Sequence, residues 1–197
     1  MKFALSLFLF CFTVALAFAQ PAAGSSVPDK EAVTARFAAV NTIESRFTQQ
    51  KFMALLEEPV TSEGVFYFEK PSRIRWQYTK PFQNGFLIAD GVTYRLEKDK
   101  KEEQKNPLAH NIAGQLLAWL TFDLEALSKQ YAVEFTADGV ILTPLKKGLI
   151  NQITVTFSAQ NKQALSRVEI LENGGDKTVL RFTHPKTNQK LPAEAFQ

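Results

Sequence analysis

Two histidines, one cysteine and twenty acidic residues are the groups in this chain that most readily do catalytic or metal chemistry. His110 stands near a predicted helix start, and His184 stands beside Pro185. A metal site needs three or four ligands, so two separated histidines would need thiolates or carboxylates beside them. The one thiol, Cys11, lies inside the apolar run Phe3 to Ala19. There is no G-x-S-x-G elbow, no H-E-x-x-H, no P-loop and no dinucleotide glycine pattern. Gly174-Gly175-Asp176-Lys177-Thr178 echoes a phosphate loop, but its spacing is wrong and it reads as a hairpin turn. Asp90 and Asp138 are each followed by Gly, which is turn chemistry. No carboxylate pair carries a glycosidase motif. These residues predict no catalytic group, no metal site and no cofactor.

What the chain has in quantity is large apolar side chains, with 17 Phe among 197 residues. Phe47, Phe52, Phe66, Phe68, Trp76, Tyr78, Phe86, Trp119, Phe135 and Phe157 are candidates for one interior. That interior is either an ordinary core or a concave apolar pocket, and periodicity does not separate the two.

The elements that must position them are mostly strands. Gly64, Phe66 and Phe68 oppose Val65 and Tyr67, and Ile74, Trp76 and Tyr78 alternate with Arg73, Arg75 and Gln77. Ile153, Val155 and Phe157 alternate with polar neighbours, as do Val168 and Ile170. A period of two marks a strand with one apolar face. Pro71, Pro81, Asp90-Gly91, Asp138-Gly139, Lys147-Gly148, Asn161-Lys162 and Asn173-Gly174-Gly175 punctuate the strands with turns. Short strands and tight turns predict an antiparallel sheet of about ten strands.

Helices are few. Asp29 reads as an N-cap, and Val33, Phe37, Val40 and Phe47 follow at helical steps, with Lys30, Thr34, Asn41 and Ser45 on the other face. This helix is expected to end near Asn41 to Glu44, with a strand beginning around Phe47. His110 to Leu127 carries a second helical pattern, broken at Phe122-Asp123, with Asp123 as the N-cap of its second piece. The run Lys98 to Lys105 reads as a solvated connection. So large a sheet must bury its apolar face, which a curled sheet with helices on its concave side would do.

The first nineteen residues are a different matter. Lys2, the apolar run and Ala17-Phe18-Ala19 read as a secretory signal peptide cleaved after Ala19. Phe3, Phe8, Phe10, Phe12, Phe18 and Cys11 leave with it, and the net charge falls from +3 to +2. The exported remainder has no cysteine, so disulfides and thiolate chemistry are excluded. Residues 20–28, QPAAGSSVP, read as a flexible linker, and 29–197 as a single domain. So mild a charge, with signs interspersed, gives no reason for a nucleic-acid partner.

Residues 46–91 carry an ordered set of motifs: Arg46-Phe-Thr-Gln-Gln, then Gly64-Val-Phe-Tyr-Phe-Glu-Lys-Pro71, Arg75-Trp-Gln-Tyr78, Lys80-Pro81 and Leu87-Ile-Ala-Asp-Gly91. In this the chain resembles the LolA family of periplasmic carriers of outer-membrane lipoproteins. The likeness runs more loosely through Leu116-Leu117, Gly139 to Pro144 and Val168 onward. It implies an α+β fold, a half-closed antiparallel β-barrel with two or three helices lidding the concave apolar face. It implies a monomeric periplasmic shuttle that shields acyl chains of lipoproteins or another lipid. The donor would be an inner-membrane transporter and the acceptor an outer-membrane protein. A lipid-binding adaptor or sensor beside an inner-membrane lipid exporter, without transfer, is the alternative. On this reading Phe47, Phe66, Phe68, Ile74, Trp76, Tyr78 and Leu87 line the sheet side of the pocket. Leu116, Leu117 and Trp119 line the lid, and Lys70 contacts the lid where the family usually has Arg. The family also continues beyond Phe196 through a further strand, so a shortened last edge is expected.

Overall fold

The structure is a computed structural model that describes residues 30–98, 100–105, 119, 122–161 and 163–197. Residues 1–29 lie outside it, and with them the leader, the linker and the Asp29 cap. Helix α1 (Lys30–Ala38) leads into strands β1 (Thr42–Phe52), β2 (Val60–Glu69), β3 (Arg73–Lys80), β4 (Asn84–Ala89), β5 (Val92–Glu97) and β6 (Lys100–Glu103). Helix α2 (Leu124–Ser128) follows. Strands β7 (Tyr131–Phe135), β8 (Gly139–Pro144), β9 (Ile150–Phe157), β10 (Leu165–Glu172) and β11 (Lys177–Thr187) and a 3-10 turn (Ala193–Phe196) complete the chain.

All eleven strands form one sheet in the order β6-β5-β4-β3-β2-β1-β11-β10-β9-β8-β7. Every pairing is antiparallel, as the hairpin spacing predicts. Two meanders, β1–β6 and β7–β11, are stitched together where β1 pairs with β11. The outer strands β6 and β7 are not paired with each other, so the barrel stays open. The strand architecture is the half-closed antiparallel barrel that the family resemblance implies.

The inner face carries the core. Val33, Phe37 and Val40 pack there from α1 and its C-terminal turn, and Phe122, Leu124 and Leu127 from around α2. Asp123 caps α2, accepting from the Ala126 N–H at 3.0 Å. Asp90 and Gly91, both at positive φ, close the β4–β5 hairpin, a conformation that Asp-Gly adopts readily.

The structure corrects three readings. Helix α1 stops at Ala38, and β1 already begins at Thr42. Phe47 and Ser45 therefore belong to a strand, and both point inward because period two puts odd positions on one face. The charged run is not all connection: Lys100–Glu103 forms the edge strand β6, every residue of it exposed. Charged side chains on a short edge discourage pairing with other chains.

The outer face holds a second, smaller core of Leu87, Ala89 and Leu96, with Tyr94 and Phe196 against it. The 3-10 turn lies over it. Arg73 stacks its guanidinium 4.4 Å from the Phe196 ring, and Arg75 donates to the Gln197 carbonyl oxygen at 2.8 Å.

Candidate functional site

Alternation sends Phe47 inward from β1, Phe66 and Phe68 from β2, and Ile74, Trp76 and Tyr78 from β3. Phe86 joins them from β4 and Phe182 from β11. Their rings form a connected box. Trp76 is its centre, 4.3 Å from Phe47, 6.0 Å from Phe182 and 6.4 Å from a parallel Phe86. Tyr78 meets the Phe47 ring edge-on at 5.3 Å. Gly64 makes this possible. A Cβ there would sit 2.3 Å from Phe47 Cζ and 2.3 Å from the Gln77 carbonyl oxygen, so only glycine lets the Phe47 ring lie flat over β2.

A second aromatic group plugs the concavity. Phe37 of α1 stacks on Phe122 at 4.9 Å and leans on Phe157 of β9 at 5.3 Å. Phe122 meets Phe157 edge-on at 5.7 Å. A nine-residue helix is not stable on its own in water. Helix α1 therefore persists because Val33 and Phe37 are buried, each at most 1% exposed.

Its C-terminal end is also clasped from two sides. Lys70, in the β2–β3 turn, donates from Nζ to the Ala38 and Phe37 carbonyls at 2.5 and 3.5 Å. These carbonyls belong to the last turn and carry the negative end of the helix dipole; the Phe37 carbonyl also accepts from the Val40 N–H at 3.1 Å. Asn188, just past β11, accepts from the Asn41 N–H at 2.7 Å and donates to the Ala39 carbonyl at 3.0 Å.

The Tyr78 and Ser45 hydroxyls of the inner face are paired, whereas the indole N–H of Trp119 is buried without a partner among the described residues. Tyr78 donates its hydroxyl to Gln49 Oε1 at 2.8 Å, and burial raises its pKa, so it stays a neutral donor at physiological pH. Burial likewise raises Tyr131, whose ring lies 6.4 Å from Trp119. The Ser45 hydroxyl lies 3.0 Å from both the Arg46 and Thr183 carbonyls, beside a bulge in the β1–β11 register. Among the described residues, no group of three or more His, Cys, Asp or Glu is placed to hold a metal. Nothing here converges on a reacting atom.

The described part of this corner of the interior is nearly full. A cavity of about 10 Å³ remains between Ile43, Phe66, Leu165 and Phe182. Pockets for small ligands usually measure about 300–1,000 Å³. A ligand at this spot therefore has to displace side chains of the core.

Six of the ten pocket residues expected from sequence share this interior: Phe47, Phe66, Phe68, Ile74, Trp76 and Tyr78. Trp119 is half-buried against the same core. Leu116 and Leu117 lie outside the described residues, as does His110. Leu87 is misassigned: it faces outward into the small core under the 3-10 turn. The reason is local, since Leu87-Ile88-Ala89 is apolar on both faces and offers no alternation to read. Lys70 reaches α1, as described above. Sequence reasoning missed Phe37, Phe122 and Phe182 as parts of the site, and missed Asn188. The only advance signal for Asn188 is its residue type, since Asn tolerates the positive φ of 56° found there.

The sequence profile of the family described as "Outer membrane lipoprotein carrier protein LolA" matches residues 38–197. The outer-membrane lipoprotein carrier protein of Cupriavidus taiwanensis is 33% identical over 168 residues, covering 80% of this chain and 77% of that one. The corresponding protein of Ralstonia nicotianae is 30% identical over 187 residues, covering 89% and 85%. Among solved structures, MucB aligns with a TM-score of 0.53 at 14% identity, over 84% of this chain and 61% of that one. This chain thus spans about three fifths of the MucB chain, and that likeness concerns the fold alone. The profile match spans the whole sheet, the Gly64-to-Pro71 motif, the clasping Lys70 and the aromatic box, and on that basis the chain belongs to the LolA family of outer membrane lipoprotein carrier proteins.

Proposed function

We propose that this chain is a periplasmic carrier that shields the acyl chains of lipoproteins and moves them from the inner to the outer membrane. The supporting observation is the aromatic interior plugged by a short helix that two clasps hold shut. Names borne by relatives of 30–33% identity point the same way.

The energetics suit a handover. A 16-carbon chain moved out of water is worth roughly 12 kcal/mol, at about 0.8 kcal/mol per CH₂. Lifting α1 re-exposes Val33, Phe37 and Val40 at roughly 1.5–3 kcal/mol each. Re-exposing the plug therefore offsets about 4.5–9 kcal/mol of what a single acyl chain gains. The protein closes when empty and opens for a load without binding it irreversibly. Phe47, Phe66, Phe68, Ile74, Trp76 and Tyr78 line the sheet side of the opened groove, and Trp119 belongs to the lid. Apart from the Trp119 indole N–H, the inner-face polar groups named above are already paired, which leaves little to anchor a headgroup and favours release. The reading includes a cleaved leader, an inner-membrane transporter as donor, an outer-membrane acceptor, and no chemical step.

Purified protein is incubated with a fluorescent diacyl or triacyl lipopeptide and then with outer-membrane vesicles. Uptake followed by transfer is the expected result. Uptake without transfer would favour an adaptor beside a lipid exporter. No uptake, together with no lipid in organic extracts of the purified protein, would overturn the carrier reading in favour of a closed structural domain.

A further inference from the structure

Seven large apolar side chains of the described residues stand exposed, and they are not scattered. Phe52, Leu55, Leu56 and Val60 belong to the β1–β2 hairpin end, Phe82 to the β3–β4 loop, and Leu145 and Leu149 to the β8–β9 loop. The registers put these three loops at one end of the sheet. Lys51 pairs with Val60, Glu63 with Lys80, Phe52 with Lys177 and Glu172 with Ile150. The clasps Lys70 and Asn188 are at the other end. Exposure rises toward the loop tips: Phe82 73%, Leu149 84% and Leu55 96%.

The chemistry beside two of these loops is basic. Lys146 and Lys147, both exposed, stand between Leu145 and Leu149. Lys98 and Lys100 line a surface hollow together with Phe82. None of these four lysines forms an ion pair among the described residues. The third loop differs, with Glu57 and Glu58 behind its leucines. Separate projecting tips make no groove for a peptide. They match a surface that yields to apolar side chains and carries negative charge just above them. Lysine stems can lie along such a boundary with their ammonium groups at phosphate level. Clustered exposed apolar groups on a water-soluble domain mark an interaction site.

We propose that this rim seats the protein on the surface of an anionic lipid bilayer. Leu149, Leu145 and Phe82 enter the headgroup boundary, and Lys146, Lys147, Lys98 and Lys100 meet lipid phosphates. This does not depend on the interior binding acyl chains.

The test is flotation of the exported chain, residues 20–197, with vesicles of phosphatidylethanolamine and phosphatidylglycerol, compared with phosphatidylcholine alone. Wild type should float with the anionic vesicles, and less so in high salt. Combined Leu145→Glu and Leu149→Glu, or Lys146→Glu and Lys147→Glu, should lower the bound fraction about tenfold. These positions are exposed, and an unchanged Tm will show that the variants fold. Lipopeptide uptake measured without vesicles should be unchanged in them. Failure of wild type to float with either lipid overturns the proposal, as does flotation indifferent to both double variants. Binding to native membrane vesicles that protease treatment abolishes, with no binding to pure lipid, assigns the rim to a protein and also overturns it. Loss of uptake with flotation intact would count against the carrier reading alone.

Discussion

Lys70 Nζ lies 2.5 Å from the carbonyl oxygen of Ala38, so the turn between β2 and β3 holds the end of the helix that plugs the sheet. A hydrogen bond to a charged group is worth about 1.5–3 kcal/mol in a protein, and less where water reaches it. Lys70→Met should therefore lower stability by about 1 kcal/mol and speed lipopeptide uptake. Stopped-flow fluorescence would read the rate, and hydrogen exchange at residues 33–40 would read the loosened helix. Lys70→Arg should slow uptake below wild type, because a planar fork can hold two carbonyls at once. Equal uptake rates in all three proteins would remove Lys70 from the closing device.

Asn188 is the second clasp and holds the chain on both sides of Val40. Asn188→Ala loses both bonds and places alanine at positive φ, which should cost about 1–3 kcal/mol by urea denaturation. Combined with Lys70→Met, the effects should be non-additive, because either loss already frees the same helix end.

Phe37→Ala separates plug from cargo site. Truncating this ring, stacked on Phe122, should destabilise the protein by about 3–5 kcal/mol. It should also raise affinity for an acyl probe, since the probe no longer has to expel the ring. Titration of the variant with a fluorescent fatty acid checks this, and weaker binding would mean that Phe37 holds the ligand.

Gly64→Ala should cost about 2–3 kcal/mol, because its Cβ has no room beside Phe47 and the Gln77 carbonyl. For a domain of this size that is a fall in Tm of roughly 4–12 °C by calorimetry.

Tyr78 gives a pH dependence of fixed sign. Its folded-state pKa is raised, chiefly by burial, above the ordinary tyrosine value of about 10. Its contribution is then fully present below pH ~10 and is lost as pH rises through the folded value. Tyr78→Phe should shrink the alkaline loss of stability in denaturation measured between about pH 9 and 11. An identical pH profile would show that the hydroxyl does not titrate differently in the two states.

The sheet was readable wherever one face is apolar and the other polar, as at Ile74, Trp76 and Tyr78. It was unreadable where that contrast fails. Leu87-Ile88-Ala89 is apolar throughout because both of its faces are covered, so its pattern does not tell which face Leu87 takes. Phe47 fits a helical step from Val40 as well as a strand step, and tertiary pairing with Phe182 and Gly64 decides between them. The plug was harder still. Phe37, Phe122 and Phe157 come from three distant segments, and no local period records that they meet. Asp123 and Asp90-Gly91 were legible because caps and tight turns are local chemistry.

The pairing of β1 with β11 sets the order in which this protein can be completed. The first strand made waits for the last one, with 138 residues separating Ser45 from Thr183. Until β11 arrives, β1 shows a bare edge and an aromatic face to water. Contacts so distant in sequence slow folding and leave intermediates open to aggregation. A chain emerging N-terminus first would keep its most adhesive surface uncovered for most of its synthesis or export. A holding chaperone is the kind of help such a topology calls for, and truncation before Lys177 should leave a chain that aggregates rather than a smaller barrel.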